Sequence, residues 1–265
     1  MKRIFCYAWL GIVLALTYIP VLVLAVYSFT DASMVGAGIS GFSFDNYLNL
    51  FRNDELRAMI FGTVLLAFVC AAISTVLATF GAIGSFYSKK LTKSLIDTAN
   101  RVPVVNADIV TGFSICILLI VILRISKDTF IPLGIGHVVL TAPFVYLSII
   151  PKLRQMDGSL YEAALDLGAT PAQALFKVVL PQLIPGILSG FMLAVTLSLD
   201  DYFITTYTKP STFDTISTYV VNATKGSQTE VKTALWALST LIFVIVVVVV
   251  VLMNVLSDKK RRGAR

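Results

Sequence analysis

Three aspartates stand where carboxylates are costly. Asp108, Asp200 and Asp201 lie inside or at the edge of long apolar runs. An ionised carboxylate at the centre of a bilayer helix costs roughly 2.5–3.5 kcal/mol on insertion scales, so such a group normally faces a cavity or a partner. Carboxylates at two depths suit a route for a cation. They equally suit helix-end residues plus one polar packing contact, and the residues alone leave both readings open. An intramembrane aspartyl protease would place glycine before its aspartate, whereas Ala107 precedes Asp108 and Leu199 precedes Asp200. No Walker A loop, HExxH, CxxC or GxSxG occurs, so the chain offers no catalytic residue of its own and implies no cofactor. Cys6, Cys70 and Cys116 show neither disulfide nor metal-ligand spacing, and no metal site is expected. The single histidine, His137, reads as a packed or water-facing residue rather than a ligand.

A second stretch, residues 159–185, has a different character. Ser159 with Glu162 spells a capping box, and Thr170 with Gln173 spells another that has Pro171 at the first helical position. Leu160, Ala163, Ala164 and Leu167 recur at helical spacing and form one narrow apolar stripe. Gly168 falls where a left-handed residue ends a helix. Pro181 and Pro185 end the second helix or hand it on to the next. A short, doubly capped, small-faced helix fits a groove on another protein; the plainer reading is a helix lying on the lipid surface.

The elements that must position these residues are membrane helices. The chain has 265 residues, 57% hydrophobic and 14% charged, against about 25% charged in a soluble domain. Uncharged runs place spans at about 4–30, 58–88, 129–151, 183–207 and 233–257. Between Asp108 and Arg124 too few residues remain to cross. The third span is therefore expected at 102–123 with Asp108 inside it and an irregular start at Pro103. Gly62, Gly81 and Gly84 are candidates for close helix approach. Phe42, Phe44, Tyr47 and Phe51 suit an interfacial belt or a contact with an outside partner. The expected fold is an all-α polytopic membrane protein of six transmembrane helices, with a cytoplasmic segment at 152–181.

Charge sets the orientation. With six spans, 14 Lys and Arg lie on the side of the termini and of residues 152–181, against 7 on the other. The positive-inside rule makes the termini cytoplasmic. The net charge of +6 therefore reads as a topology signal, not as a nucleic-acid surface.

Residues Glu162, Ala163, Ala164, Gly168, Val178, Leu180 and Pro181 match, without a gap, the EAA loop of ABC importer permeases. Nearly the whole chain resembles the PotC-type spermidine/putrescine permease family of type I, binding-protein-dependent importers. The matching pieces are residues 18–20, 108–110, 162–185 and 197–201. The resemblance implies that residues 159–167 form a coupling helix docked on an ATP-binding subunit dimer. It also implies a second homologous permease, an extracellular or periplasmic solute-binding protein, and a bacterial cytoplasmic membrane. Asp108, Ser198, Asp200 and Asp201 correspond to positions associated with polyamine passage. Ala107 departs from the family, which commonly has proline there. An importer of another small organic solute remains an alternative within transport; a secondary transporter would not need the EAA pattern.

Overall fold

The computed structural model describes residues 2–30, 41–225 and 235–244. Among them the chain is helical, and the extended pairing present is a bridge between Thr30 and Phe42. In chain order the helices are α1 (Lys2–Ser28), α2 (Asp45–Arg52), α3 (Asp54–Phe86) and α4 (Lys90–Val105). Then come α5 (Asp108–Ile122), α6 (Phe130–Gln155), α7 (Ser159–Asp166) and α8 (Pro171–Asp200). The last three are α9 (Phe203–Thr208), α10 (Ile216–Lys225) and α11 (Leu235–Val244). A π-helical turn ends α5 (Ile117–Ile122), and another interrupts α8 (Leu175–Val179).

Four of these segments are long and apolar enough to cross a membrane: Trp9–Ser28, Asp54–Phe86, Phe130–Gln155 and Pro171–Asp200. The expected continuous helix over 102–123 is not formed. Residues 102–105 end α4, Asn106 and Ala107 are extended, and α5 leaves at 107°. Asn106 stabilises the break by donating from its side chain to Thr111 Oγ1 at 3.0 Å. Asp108 opens α5 instead of sitting within a helix, an end where the helix dipole favours negative charge. Taken together, α4 and α5 make a fifth candidate span.

The expected helix over 183–207 differs at both ends. It begins at Pro171 and stops at Asp200; residues 203–207 belong to α9. The π-helical turn lies just before Leu180, so Pro181 falls in the first turn of the regular segment Leu180–Asp200. A missing backbone amide costs little there. Of the expected span at 233–257, α11 accounts for 235–244, and the remainder lies outside the described residues.

The chain divides into two compact units. In the unit comprising Met1–Ala58 and Val220–Arg265, Phe29 gathers the aromatics flagged in the sequence. It stacks on Phe42 with ring centroids 5.7 Å apart and meets Tyr47 at 5.0 Å and Phe44 at 5.8 Å. Asn46 Nδ2 donates to the carbonyls of Ser28 and Thr30, tying α2 to the end of α1. Phe51 stays exposed. Trp236 of α11 packs edge-on against Tyr27.

In the unit Met59–Tyr219, one core joins α3, α6 and α8. Ala67, Ala71, Ala78 and Ala82 come from α3; Val145, Tyr146, Ile149 and Leu153 from α6; Val179, Leu183 and Ala194 from α8. In lipid, helix pairs are held by close packing and hydrogen bonds rather than by expulsion of water. Both devices are present. Gly186 and Gly190, spaced as GxxxG, let α8 approach α6, and a methyl added at Gly190 would stand 3.0 Å from Val145 Cγ1. Ser74 and Thr141 share a 2.6 Å hydrogen bond between α3 and α6. Of the three glycines expected at close approaches, only Gly62 meets a neighbour, the Phe213 ring; Gly81 and Gly84 face open space.

Candidate functional site

Helix α8 ends at Asp200, and the next residue leaves the helix with φ −66° and ψ 125°. This corner separates the paired aspartates. Asp200 is exposed, whereas Asp201 is 8% exposed. Asp201 Oδ2 accepts from the Thr205 amide and from the Thr205 hydroxyl, both at 2.7 Å, and Oδ1 accepts from the Ile204 amide at 3.3 Å. Those amides belong to the first turn of α9, whose donors have no partner within the helix. Asp201 therefore caps α9. Its own carbonyl accepts from the Ser217 hydroxyl.

His137 of α6 stands beside this corner with no exposed surface. Its Nδ1 lies 2.7 Å from Ser198 Oγ and its Nε2 lies 3.1 Å from Thr205 Oγ1. The packed alternative named for the lone histidine is the one found. Ser, His and Asp are the residue types of a hydrolytic triad, but the geometry is not one. Asp201 Oδ2 is 3.9 Å from Nε2, beyond hydrogen-bond reach, and Ser198 is sealed at 2% exposure. Among the described residues, no group of three or more His, Cys, Asp or Glu could hold a metal ion.

Asp108, exposed at the start of α5, is held apart from the His137 cluster in the hydrogen-bond network. The two ends are joined instead by apolar packing. Ile204 is fully buried between α5 and α6. A methyl at Gly112 would stand 3.0 Å from its Cα, and one at Gly136 would stand 2.6 Å from its Cγ2. Phe113 meets Tyr207 at 5.8 Å. Thr205 and this glycine clasp were not singled out from sequence, and His137 was read there as a packed or water-facing residue with no partners named. A buried histidine's partners lie 61 and 68 residues away, and no local pattern points to them.

The segment 152–181 carries the second site. Helix α7 has no buried residue. Glu162 and Ala163 are exposed, Ala164 is half-buried, and Leu160 and Leu167 are 38% and 89% exposed. The apolar stripe expected for docking thus points largely outward. The opposite side anchors the helix: Tyr161 packs on the core and meets Tyr87 at 5.1 Å. Burial and the neighbouring Tyr161 raise the Tyr87 pKa. Tyr146 donates to Asp97 and accepts from the Ser85 hydroxyl, linking α6 with α4 and α3.

The ends of α7 differ from expectation at one side only. Gly168 has φ +85°, donates to the Leu165 carbonyl at 2.9 Å, and is followed by Ala169 donating to Ala164 at 3.0 Å. That pair of bonds is the Schellman ending, which needs a left-handed residue. The Thr170–Gln173 capping box forms with both of its bonds. The Ser159–Glu162 box does not form, because Ser159 is already inside the helix. Asp157 takes the role by accepting from the Ser159 amide at 3.0 Å and hydroxyl at 2.8 Å, which holds its carboxyl below the usual carboxylate range.

Long apolar helices, small-residue crossings and an outward-facing helix between two candidate spans define a polytopic helical membrane protein. Residues 74–263 match the family described as binding-protein-dependent transport system inner membrane component. A spermidine/putrescine transport system permease protein PotC of Haemophilus influenzae is 30% identical over 253 residues, 95% of this chain and 96% of that protein. The putrescine transport system permease protein PotI of Escherichia coli is 30% identical over 235 residues, 85% and 80% respectively. Among solved structures, a bacterial ABC transporter involved in the import of the acidic polysaccharide alginate superposes with a TM-score of 0.68. That match has 16% identity over 95% of both chains and shows the shared fold. The chain belongs to the binding-protein-dependent inner membrane component family and is a permease subunit of an ABC importer, with ATP hydrolysis done by a separate subunit.

Proposed function

We propose that this permease moves polyamines inward, with spermidine and putrescine as the substrate class. The observation that carries the reading is Asp200, a carboxylate left exposed at the end of a membrane-crossing helix. Two relatives at 30% identity bear the names of polyamine permeases. Asp200 and Asp108 would meet the ammonium groups, while Ser198 and Asp201 line the same corner from inside. The termini and α7 lie on the cytoplasmic side. There the stripe of Leu160, Ala163, Ala164 and Leu167, with Glu162, docks on one subunit of an ATP-binding dimer. A second homologous permease completes the route, and a solute-binding protein outside delivers the cation. Closure of the ATPases moves α7, and Gly168 with Tyr161 transmits that motion to the bundle as a rigid body.

The test is uptake of labelled spermidine and putrescine by reconstituted importer. A desolvated charged hydrogen bond contributes on the order of 1.5–3 kcal/mol, so Asp200→Asn should lower the rate at subsaturating polyamine about tenfold. Unchanged uptake of both, at wild-type amounts of complex, removes Asp200 from the route. Orientation is read separately. A cysteine at Asp166 should react with an impermeant thiol reagent only from the cytoplasm, and one at Asn49 only from outside.

A further inference from the structure

Each hydroxyl has one proton, and this sets the direction of the hydrogen bonds around His137. Asp201 takes three donors on its two carboxyl oxygens, so it acts as a pure acceptor. Thr205 Oγ1 therefore gives its proton to Asp201 and has only lone pairs to offer His137 Nε2. Nε2 must then carry the imidazole proton. A neutral ring protonated there accepts at Nδ1, so Ser198 Oγ donates to it. The donations run one way, from Ser198 on α8 through His137 on α6 and Thr205 on α9 to Asp201 at the corner. Among the described residues, no buried side-chain nitrogen or oxygen is left without a partner, so the chain is closed.

We propose that His137 is a positioning residue for substrate entry: through Ser198 and Thr205 it fixes the corner that sequesters Asp201 and presents Asp200. The two aspartates are adjacent, so the conformation that turns one inward turns the other out. The inference rests on the reading of Asp200 as the cation contact. It adds that the contact is made competent by a residue more than 60 positions earlier in the chain.

The experiment measures polyamine uptake kinetics in reconstituted importer carrying His137→Leu, His137→Gln, Asp200→Asn, or His137→Leu with Asp200→Asn. Gln keeps a donor at the Nε2 position, whereas Leu fills space and offers none. His137→Leu should raise KM about tenfold at unchanged complex amounts, the loss expected when a charged contact is misplaced. His137→Gln should restore most of it. The double variant should be no worse than Asp200→Asn alone, because groups acting through one another are not additive. Equal KM for Leu and wild type, equal KM for Leu and Gln, or multiplied effects in the double variant would overturn the proposal. A cysteine at 200 in a background free of other cysteines gives a readout independent of transport. Its reaction with a soluble thiol reagent should change several-fold on adding His137→Leu, and an unchanged rate sinks the positioning role. If Asp200→Asn leaves uptake unaltered while this rate does change, the cation route fails but the corner geometry stands.

Discussion

Helix α7 and the corner between α8 and α9 sit on neighbouring segments of one chain and resolve their polar groups in opposite ways. At the corner, side chains consume one another: Ser198, His137, Thr205 and Asp201 close a circuit with almost no exposed surface. At α7, the backbone ends are closed by Asp157 and Gly168, and the side chains of the outer face are left over. The difference separates a finished internal joint from half of an interface. The joint should be sensitive to the loss of a single partner. The half-interface should tolerate side-chain changes in the isolated chain and fail only when its partner must bind.

The effect expected to reach furthest, through assembly and transport together, is at Gly168. Valine there must adopt φ near +85°, which costs roughly 1–2 kcal/mol even though space is open around the position. Gly168→Val should leave membrane insertion intact yet lower both ATPase co-purification and ATP-driven uptake at least several-fold. Normal values of both would place α7 outside the interface.

Asp201→Asn comes next. Its amide would set a donor against the donors of Ile204 or Thr205, a loss on the order of 1.5–3 kcal/mol. Thermal unfolding of the purified chain should shift down for Asp201→Asn and stay unmoved for Asp200→Asn. Equal shifts would erase the contrast between the adjacent aspartates.

Caps give a smaller effect. Thr170→Ala removes a formed capping box and should cost roughly 0.5–2 kcal/mol, whereas Ser159→Ala removes only a hydroxyl that donates to Asp157. The smallest effect is one of pH. The Asp157 carboxyl is lowered by the Ser159 amide first and the hydroxyl second. Its contribution is complete above the ordinary carboxylate range and is lost as pH falls through the lowered value. Hydrogen exchange at the Ser159 amide should quicken over that acid window and not above it.

Features settled by local chemistry were legible in the sequence. Gly168, the Thr170–Gln173 box and the outward stripe of α7 follow from residues within one or two turns. The Ser159–Glu162 box failed to form because Ser159 lies inside the helix, and Asp157, two residues earlier, accepts the Ser159 amide that Glu162 would have taken. The bend at Asn106 escaped a hydropathy reading, which registers apolar content and not backbone direction. The role of His137 was out of reach for another reason: its partners are set by how α6, α8 and α9 cross, and that is a property of packing rather than of spacing.

Ile204 lies between two glycines on different helices, and this has a consequence for how such permeases can diverge. A methyl at position 136 would stand 2.6 Å from Ile204 Cγ2, while one at 112 would press on the Ile204 backbone itself. The two glycines are therefore unequal as historical constraints. Position 136 can drift toward alanine in a lineage whose residue 204 has first shortened to alanine, which lacks the γ-methyl that valine would keep, so those two sites should change as a correlated pair. Position 112 has no such escape, because no substitution at 204 moves its Cα away. Sequences descended from a common ancestor of this chain should accordingly show exchange at 136 and 204 together, and glycine at 112 held through both states.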